Sequence, residues 1–169
     1  CIVLNVTVRS MKLHGGGFAG GGGARPTKEE IETENVDAVR TGAASNMRRH
    51  VRNLATTSIP VVVSINRFAT DTDAEIEAIR DEALKAGAKE IVLFEGFAKG
   101  GEGAADLADA VVDACARHEE AGRPFTPAVD PGMQAKQAIL RVGTNVYGAH
   151  TVDLSPSADA ALKKFEEWG

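Results

Sequence analysis

The chain is poor in cysteine, with only Cys1 and Cys115 among 169 residues. The two lie far apart, and neither has neighbours at the spacing of metal ligands. These features exclude a disulfide framework and a structural zinc site, and no metal-binding residues are predicted.

The chain also lacks an excess of basic residues, because 19 Lys and Arg stand against 24 Asp and Glu, for a net charge of −5. Nucleic-acid backbones are bound by clustered cations. The one basic cluster, residues 48–52, fits a solvated helix face better than a phosphate-binding surface. We therefore expect no nucleic-acid partner.

Long apolar runs are absent, since none approaches the roughly 18 residues that a membrane span requires, and no secretory signal is visible. We therefore expect a cytoplasmic protein without a membrane partner. The G-x-x-x-x-G-K-[ST] spacing of a phosphate-cradling loop is missing too. Its absence ranks a nucleotide-binding switch protein last among the candidate functions.

What the chain does contain is an alternation of predicted strands and helices. Strands are predicted near residues 2–8, 60–65 and 90–94, and helices over 27–55, 73–86 and 103–118. This order predicts a parallel sheet with right-handed crossovers, flanked by helices on both faces. The last of these helices is predicted to bury the face formed by Leu107, Ala108, Val111, Val112 and Cys115.

The pattern changes after residue 120. Three prolines between residues 121 and 131 predict a connection that leaves the sheet. Helices are predicted over 133–147 and 158–167, and Ser155 before Pro156 fits the start of the second. We therefore predict an α/β core at 1–120 and an incomplete helical segment of an adjoining domain at 121–169.

Unusual residues follow each predicted strand. They are the glycine-rich stretch 9–23, for which irregular backbone is predicted, the polar loop 66–73 and the glycine cluster 95–103. Ligands of open α/β sheets bind at the carboxyl ends of the strands. We therefore expect these three segments to converge in space.

Polar groups in the second and third segments suggest contacts with a nucleotide or another anion. Asn66 can read a base edge through its paired donor and acceptor atoms, and Arg67 can bind an anionic edge. Lys99, Gly100 and Gly101 combine a positive charge with free backbone amides before a helix. A tight strand-to-helix turn explains these last three residues equally well.

Two aromatic residues, Phe68 and Phe97, occupy corresponding places after neighbouring strands. An aromatic ring in a polar loop leaves apolar surface in water unless it covers something flat and apolar. The two rings can therefore sandwich a planar heterocycle, or each can pack separately into the local core. Asp71 or Asp73 in the first loop has a simpler interpretation as the N-cap of the following helix.

Six blocks occur in a characteristic order: TVRSMKLHGGG, EEIETENVDAV, PVVVSINRFATDTDAEIEAI, FAKGGEGAADLADAVV, VYGAHTVDLSP and the final helix. In this order they resemble the formate-tetrahydrofolate ligase family, also called formyltetrahydrofolate synthetase. The resemblance covers nearly the whole chain.

The resemblance implies an enzyme of one-carbon metabolism that makes 10-formyltetrahydrofolate from formate, tetrahydrofolate and ATP by way of formyl phosphate. It implies ATP with Mg²⁺ and tetrahydrofolate as substrates, and it leaves a monovalent cation and a homo-oligomer as further expectations. The implied fold is a three-layer core like that of P-loop NTPases. Within it, this chain is expected to be an internal piece that lacks the phosphate loop and is inactive alone. A non-catalytic module that keeps the α/β scaffold is the alternative.

Carried over to this sequence, the resemblance implies that Phe68, Ala69 and Phe97 hold the pterin ring of tetrahydrofolate. The family usually has Pro in place of Ala69 and Trp in place of Phe97. Because a smaller ring stacks with less area, we expect a lower affinity. No catalytic residue is predicted.

Overall fold

The computed structural model describes residues 1–18 and 26–168. The chain divides into two compact units, Cys1–Pro124 and Phe125–Gly169. Within the described residues, no helix is both long enough and apolar enough to cross a membrane.

The first unit is built on a parallel sheet of three strands. The strands are β1 (Ile2–Val6), β2 (Val61–Asn66) and β3 (Glu90–Phe94), and they lie side by side in that order. The central strand pairs in parallel with both neighbours. Its Val62, Val63 and Ile65 are fully buried, as expected for a continuous β-branched run between two helical layers. The predicted parallel sheet with flanking helices is confirmed.

Helices cover both faces of this sheet. They are α1 (Val8–Gly15), α2 (Lys28–Glu32), α3 (Val36–Gly42), α4 (Arg48–Ala55), α5 (Asp73–Ala86), α6 (Gly96–Lys99) and α7 (Ala105–Ala121). The larger core forms where α1, α3, α4 and α5 pack against Val63 and Ile65. A smaller core forms on the opposite face, where Ala110 and Ala114 of α7 pack against Val62.

The face that helix α7 buries matches the predicted one only in part. Leu107 packs against the smaller core as predicted. Ala110 and Ala114 are the buried residues of the helix, whereas Val112 is exposed and Cys115 is an exposed free thiol. The small alanine side chains let the helix lie close to the sheet, so the buried face is rotated toward them.

Helix α1 occupies residues for which irregular backbone was expected. The prediction for residues 9–15 is wrong, and residues 19–23 of the same stretch lie outside the described residues. The helix begins with a capping box, in which the Thr7 hydroxyl accepts the Ser10 N–H at 3.0 Å and the Ser10 hydroxyl accepts the Thr7 N–H. The helix ends at a glycine with a left-handed backbone, since Gly16 has φ 70°.

The long helix predicted over residues 27–55 is broken once. Helix α2 ends at Glu32, and α3 begins afresh where the Asn35 side chain accepts the N–H of Ala38 at 2.9 Å. A π-helical turn, Ala43–Met47, then joins α3 to α4. It lies within a row of buried residues spaced by four, Val39, Ala43, Met47 and Val51.

Of the basic cluster at residues 48–52, Arg49, His50 and Arg52 are exposed as predicted, but Arg48 is not part of a solvated face. Its guanidinium forms an ion pair with the buried carboxylate of Glu82 on α5, which also accepts a hydrogen bond from Lys85 at 2.7 Å. Burial opposes ionisation of Glu82, but the hydrogen bonds from Lys85 and Arg48 outweigh it and lower the pKa of Glu82 below its ordinary value.

The second unit consists of α8 (Ala135–Arg141), a π-helical turn at Val142–Val146 and α9 (Pro156–Trp168). The predicted cap is confirmed, because the Ser155 hydroxyl accepts the N–H of Ala158 at 3.2 Å. Lys136 and Asp159 link α8 to α9 at 2.7 Å. None of the residues described in this unit is fully buried, so it has no core of its own.

Candidate functional site

The candidate site lies where β2 and β3 end. The Arg67 N–H donates to the carbonyl of Phe94 at 3.0 Å, which extends the strand pairing one residue past β2. Two loops therefore leave the sheet side by side: the β2 loop, residues 67–72, and the β3 loop, residues 95–104. The parallel topology brings these segments together, as the rule for open α/β sheets predicts.

The β2 loop is held by hydrogen bonds within itself. The Phe68 N–H donates to Asp71 Oδ2 at 2.8 Å, and the Asp71 N–H donates back to the Phe68 carbonyl at 3.0 Å. Thr72 then caps α5 in a capping box with Glu75. The predicted cap at Asp71 or Asp73 is therefore wrong. Asp71 closes the loop, and Asp73 forms an ion pair with Arg67 at 2.8 Å.

A buried ion pair joins α1 to the start of α5, directly after the β2 loop, and so anchors the end of this loop. Lys12 Nζ of α1 lies 2.7 Å from Glu75 Oε1, and the two side chains are 1% and 0% exposed. Lys12 also donates to the carbonyls of Ile31 and Thr33, at 2.8 and 2.9 Å. Glu75 accepts the N–H of Asn35 at 2.8 Å. Every charge is thus hydrogen-bonded, which a buried pair requires.

The two carboxylates near Phe68 ionise differently. Burial opposes ionisation of Glu75, but hydrogen bonds from Lys12 and from the N–H groups of Asn35 and Thr72 lower the pKa of Glu75 below 4.5. Burial raises the pKa of Asp71 above 3.8, and the hydrogen bond from Phe68 only partly offsets this effect. Asp71 is therefore protonated more easily than an ordinary aspartate, whereas Glu75 is protonated less easily than an ordinary glutamate.

The ring of Phe68 is half-buried and lies beneath a cation. The guanidinium carbon of Arg9, in the first turn of α1, is 4.6 Å from the ring centroid. Arg9 reaches this place because α1 begins two residues after β1 ends, at the same edge of the sheet.

The β3 loop is more open. Phe97 lies in the short helix α6 and is 91% exposed. Lys99 does not stand free for an anion, because its ammonium forms an ion pair with the carboxylate of Glu95. The loop is closed by the Glu95 N–H, which donates to the Gly103 carbonyl at 3.0 Å. Gly100 has φ 60° and ψ −138°, a combination that favours glycine.

The remaining predicted site residues border these loops. Asn66 is the last residue of β2 and lies opposite Phe94 in the sheet register. Ala69 is exposed in the β2 loop, and Gly101 is exposed in the β3 loop. The rings of Phe68 and Phe97 make no contact with each other in the part of the chain that the structure describes. A joint stacking site therefore stays a prediction.

Sequence reasoning missed Arg9, Lys12 and Glu75 as parts of this region. Lys12 carried one signal, because it follows buried Met11 and lies four residues after buried Val8 on the same helix. In residues 1–18 and 26–168, no group of three His, Cys, Asp or Glu side chains is arranged to hold a metal ion.

Comparison with known proteins gives one family. The sequence profile of the family described as Formate--tetrahydrofolate ligase matches residues 1–169. The chain is 38% identical over 169 residues to the formate--tetrahydrofolate ligase of Desulforamulus reducens, which covers 100% of this chain and 29% of the relative. It is 42% identical over 168 residues to the ligase of a Roseiflexus species, covering 99% of this chain and 29% of the relative.

A longer relative matches as well. The cytoplasmic C-1-tetrahydrofolate synthase of Schizosaccharomyces pombe is 40% identical over 168 residues, covering 99% of this chain and 17% of the relative. The chain thus spans less than a third of the length of these relatives. Because the family profile matches every residue, the chain belongs to the formate-tetrahydrofolate ligase family.

Proposed function

We propose that the chain forms the tetrahydrofolate-binding part of an ATP-dependent ligase that makes 10-formyltetrahydrofolate from formate, tetrahydrofolate and ATP through formyl phosphate. The observation that carries the proposal is the family match over residues 1–169. Each bacterial relative is named a formate--tetrahydrofolate ligase, and this chain corresponds to 29% of its length. Activity of a whole enzyme therefore requires segments beyond those represented here.

The proposed pterin site consists of Phe68, Ala69 and Phe97. The support is physical: a stacking site needs rigid placement, and the hydrogen bonds of the β2 loop give Phe68 a fixed backbone. Phe97 offers an uncovered ring from the adjacent β3 loop. A flat heterocycle beside these rings would bury apolar area that water now covers.

The proposed nucleotide or anion contacts are Asn66, Arg67, Lys99, Gly100 and Gly101. Arg67 and Lys99 are already paired with Asp73 and Glu95, so a ligand has to displace those carboxylates. Both pairs lie near the surface, where ion pairs contribute about 0–1 kcal/mol. Displacing them is therefore inexpensive.

Further parts of the proposal concern the whole enzyme. We propose ATP with Mg²⁺ as cosubstrate, a monovalent cation, a homo-oligomer, and a three-layer P-loop NTPase-like core ending near residue 120, with residues 121–169 in an adjoining domain. We propose a cytoplasmic location. The S. pombe relatives that match are named for the cytoplasm and for mitochondria.

The test uses the 169-residue chain alone and a chimaeric ligase in which it replaces the matching segment of the D. reducens enzyme. We expect ATP- and formate-dependent 10-formyltetrahydrofolate from the chimaera. We expect none from the chain alone, because phosphoryl transfer needs preorganised donors and a metal that it does not supply. Product from the chain alone contradicts the proposal that activity requires further segments of the enzyme. A folded but inactive chimaera supports a non-catalytic module.

A further inference from the structure

The contact between Arg9 and Phe68 joins two strand ends that are far apart in sequence. The guanidinium carbon stands 4.6 Å from the ring centroid, a distance at which a cation is attracted to the negative face of an aromatic ring. Arg9 belongs to the first turn of α1, and Phe68 belongs to the β2 loop. One face of the Phe68 ring is therefore covered by another part of the protein.

The polar contacts of Arg9 do not explain its position. Its Nε is buried and has no hydrogen-bond partner among the described residues, and the carboxylate oxygen Glu32 Oε1 is 3.5 Å from Nη2. A distance of 3.5 Å is at the outer limit of a hydrogen bond. The aromatic ring is thus the closely packed partner that accounts for where the guanidinium lies.

The ring itself needs such a partner. Asp71 fixes the backbone of Phe68 through two hydrogen bonds, which restrict the side-chain rotamers of Phe68 but leave more than one of them open. A half-buried phenylalanine in a loop can therefore turn unless a neighbour holds it. Arg9 supplies that neighbour, since a cation on one face favours one orientation of the ring.

We propose that Arg9 is a positioning residue for the pterin site: it covers one face of Phe68 and directs a ligand to stack on the opposite face. This inference rests on the proposed function of Phe68. It deepens that proposal, because it adds a residue from α1 and makes stacking on Phe68 one-sided.

The first test requires no ligand. The chain is labelled with 4-fluorophenylalanine, and the Phe68 signal among the six phenylalanines is assigned by its loss in Phe68→Leu. We expect Arg9→Gln to move the Phe68 fluorine signal and Arg9→Lys to move it less, because lysine keeps a cation over the ring. Arg49→Gln, on the exposed side of α4, is the matched control. An unmoved Phe68 signal in Arg9→Gln overturns the proposal.

The second test measures tetrahydrofolate binding to the same chains by calorimetry. We expect Arg9→Gln to weaken binding about 3- to 10-fold, with Arg9→Lys recovering part of the loss and Arg49→Gln having no effect. In the Phe68→Leu background, Arg9→Gln should add no further loss. An equal loss in both backgrounds shows that Arg9 acts independently of the ring and overturns the proposal.

The two proposals fail in different ways. If Phe68→Leu leaves tetrahydrofolate binding unchanged, or the unaltered chain does not bind it, the function proposed for Phe68 is wrong, while the fluorine test still decides whether Arg9 orients the ring. If Phe68→Leu weakens binding and Arg9→Gln does not, the proposed function stands and the role of Arg9 is refuted. Thermal unfolding of each variant confirms that it is folded.

Discussion

The two loops at the carboxyl edge of the sheet differ in how firmly the protein holds them. In the β2 loop, Phe68 has its backbone bonded to Asp71, its ring under Arg9, and the buried pair of Lys12 and Glu75 below. In the β3 loop, Phe97 is 91% exposed on a helix of four residues.

The difference indicates that the two aromatic residues have unequal roles. A side chain that is already fixed before binding loses little conformational entropy when a ligand binds. Immobilising an exposed side chain costs about 0.5–1.5 kcal/mol of binding free energy. We therefore expect the β2 loop to set the position of a stacked ring and the β3 loop to close over it.

The largest effect is expected when the anchor beneath the β2 loop is removed. Lys12→Met leaves the Glu75 carboxylate buried without its cation, which costs about 3–5 kcal/mol in the free energy of unfolding. Urea unfolding followed by circular dichroism measures this loss. The Lys12→Met substitution would leave the β2 loop as weakly held as the β3 loop.

A double variant separates the lost pair from lost packing. Lys12→Met with Glu75→Leu should recover much of the stability, because no charge is then buried alone. Lys28→Met is the matched control, since Lys28 forms an exposed pair with Glu32 at 3.8 Å and should change stability little. A loss below about 1 kcal/mol in Lys12→Met contradicts the anchoring role.

Next in size are the two rings. Phe68→Ala and Phe97→Ala should each weaken tetrahydrofolate binding by about 1–3 kcal/mol, by analogy with bases stacked on aromatic side chains. In the chimaeric ligase both should leave the KM of ATP nearly unchanged. Equal losses for both substrates refute the stacking roles. Unfolding sharpens the comparison, because Phe97→Ala should change stability by less than about 0.5 kcal/mol, whereas Phe68→Ala should cost more.

A smaller effect is expected from the backbone of the β3 loop. A Cβ at Gly103 would lie 2.5 Å from the Glu95 carbonyl oxygen, so Gly103→Ala should cost about 1–2 kcal/mol by overpacking. Gly101→Ala is the matched control, because a Cβ there meets nothing within 4 Å. Thermal melting of the two variants compares them directly. Equal melting temperatures would show that this loop accommodates the added methyl group without loss of stability.

The smallest effect concerns pH. Because burial raises the pKa of Asp71 above 3.8, the unfolded chain loses this proton first as pH rises, and stability falls through that window. Asn cannot ionise and keeps an oxygen that accepts the Phe68 N–H. Asp71→Asn should therefore be relatively more stable at neutral pH, with the advantage vanishing below about pH 3.8.

Glu75 should show the opposite dependence of stability on pH and therefore serves as an internal check. Its lowered pKa means that its contribution is present above about pH 4.5 and is lost as pH falls further. Urea titrations between pH 3 and pH 7 follow both groups. An Asp71→Asn advantage that grows toward acid would contradict the assigned direction for Asp71.

The strands were predictable because they depend on local sequence. Runs such as Val61–Val63 are apolar without interruption, and helix α5 ends where predicted, at Gly87 with φ 98°. The position of the two loops side by side was also predictable, because the carboxyl ends of parallel strands meet at one edge of the sheet. These features need no knowledge of distant contacts.

The supports of the β2 loop were not predictable because they depend on distant partners. Lys12 is buried only because Glu75, 63 positions later, neutralises it, and Arg9 meets Phe68 across a similar interval. Periodicity also misjudged α7, where it favoured large apolar residues such as Val112 over the alanines that pack. The sequence predicted that the two loops lie together, but it did not reveal the contacts that order the β2 loop.

The π-helical turn between α3 and α4 has a consequence for how this segment can evolve. Buried residues spaced strictly by four drift about 40° per step around a regular α-helix, and the wider turn at Ala43–Met47 compensates for part of that drift. Deleting one residue there and restoring regular α-helical winding would space the same side chains by four, three and four, which places them within about 30° of one common direction. Val51 would then still face the core, and Arg48 would keep its side of the helix. The wide turn thus absorbs one extra residue, and single-residue length differences among functional relatives should fall within it.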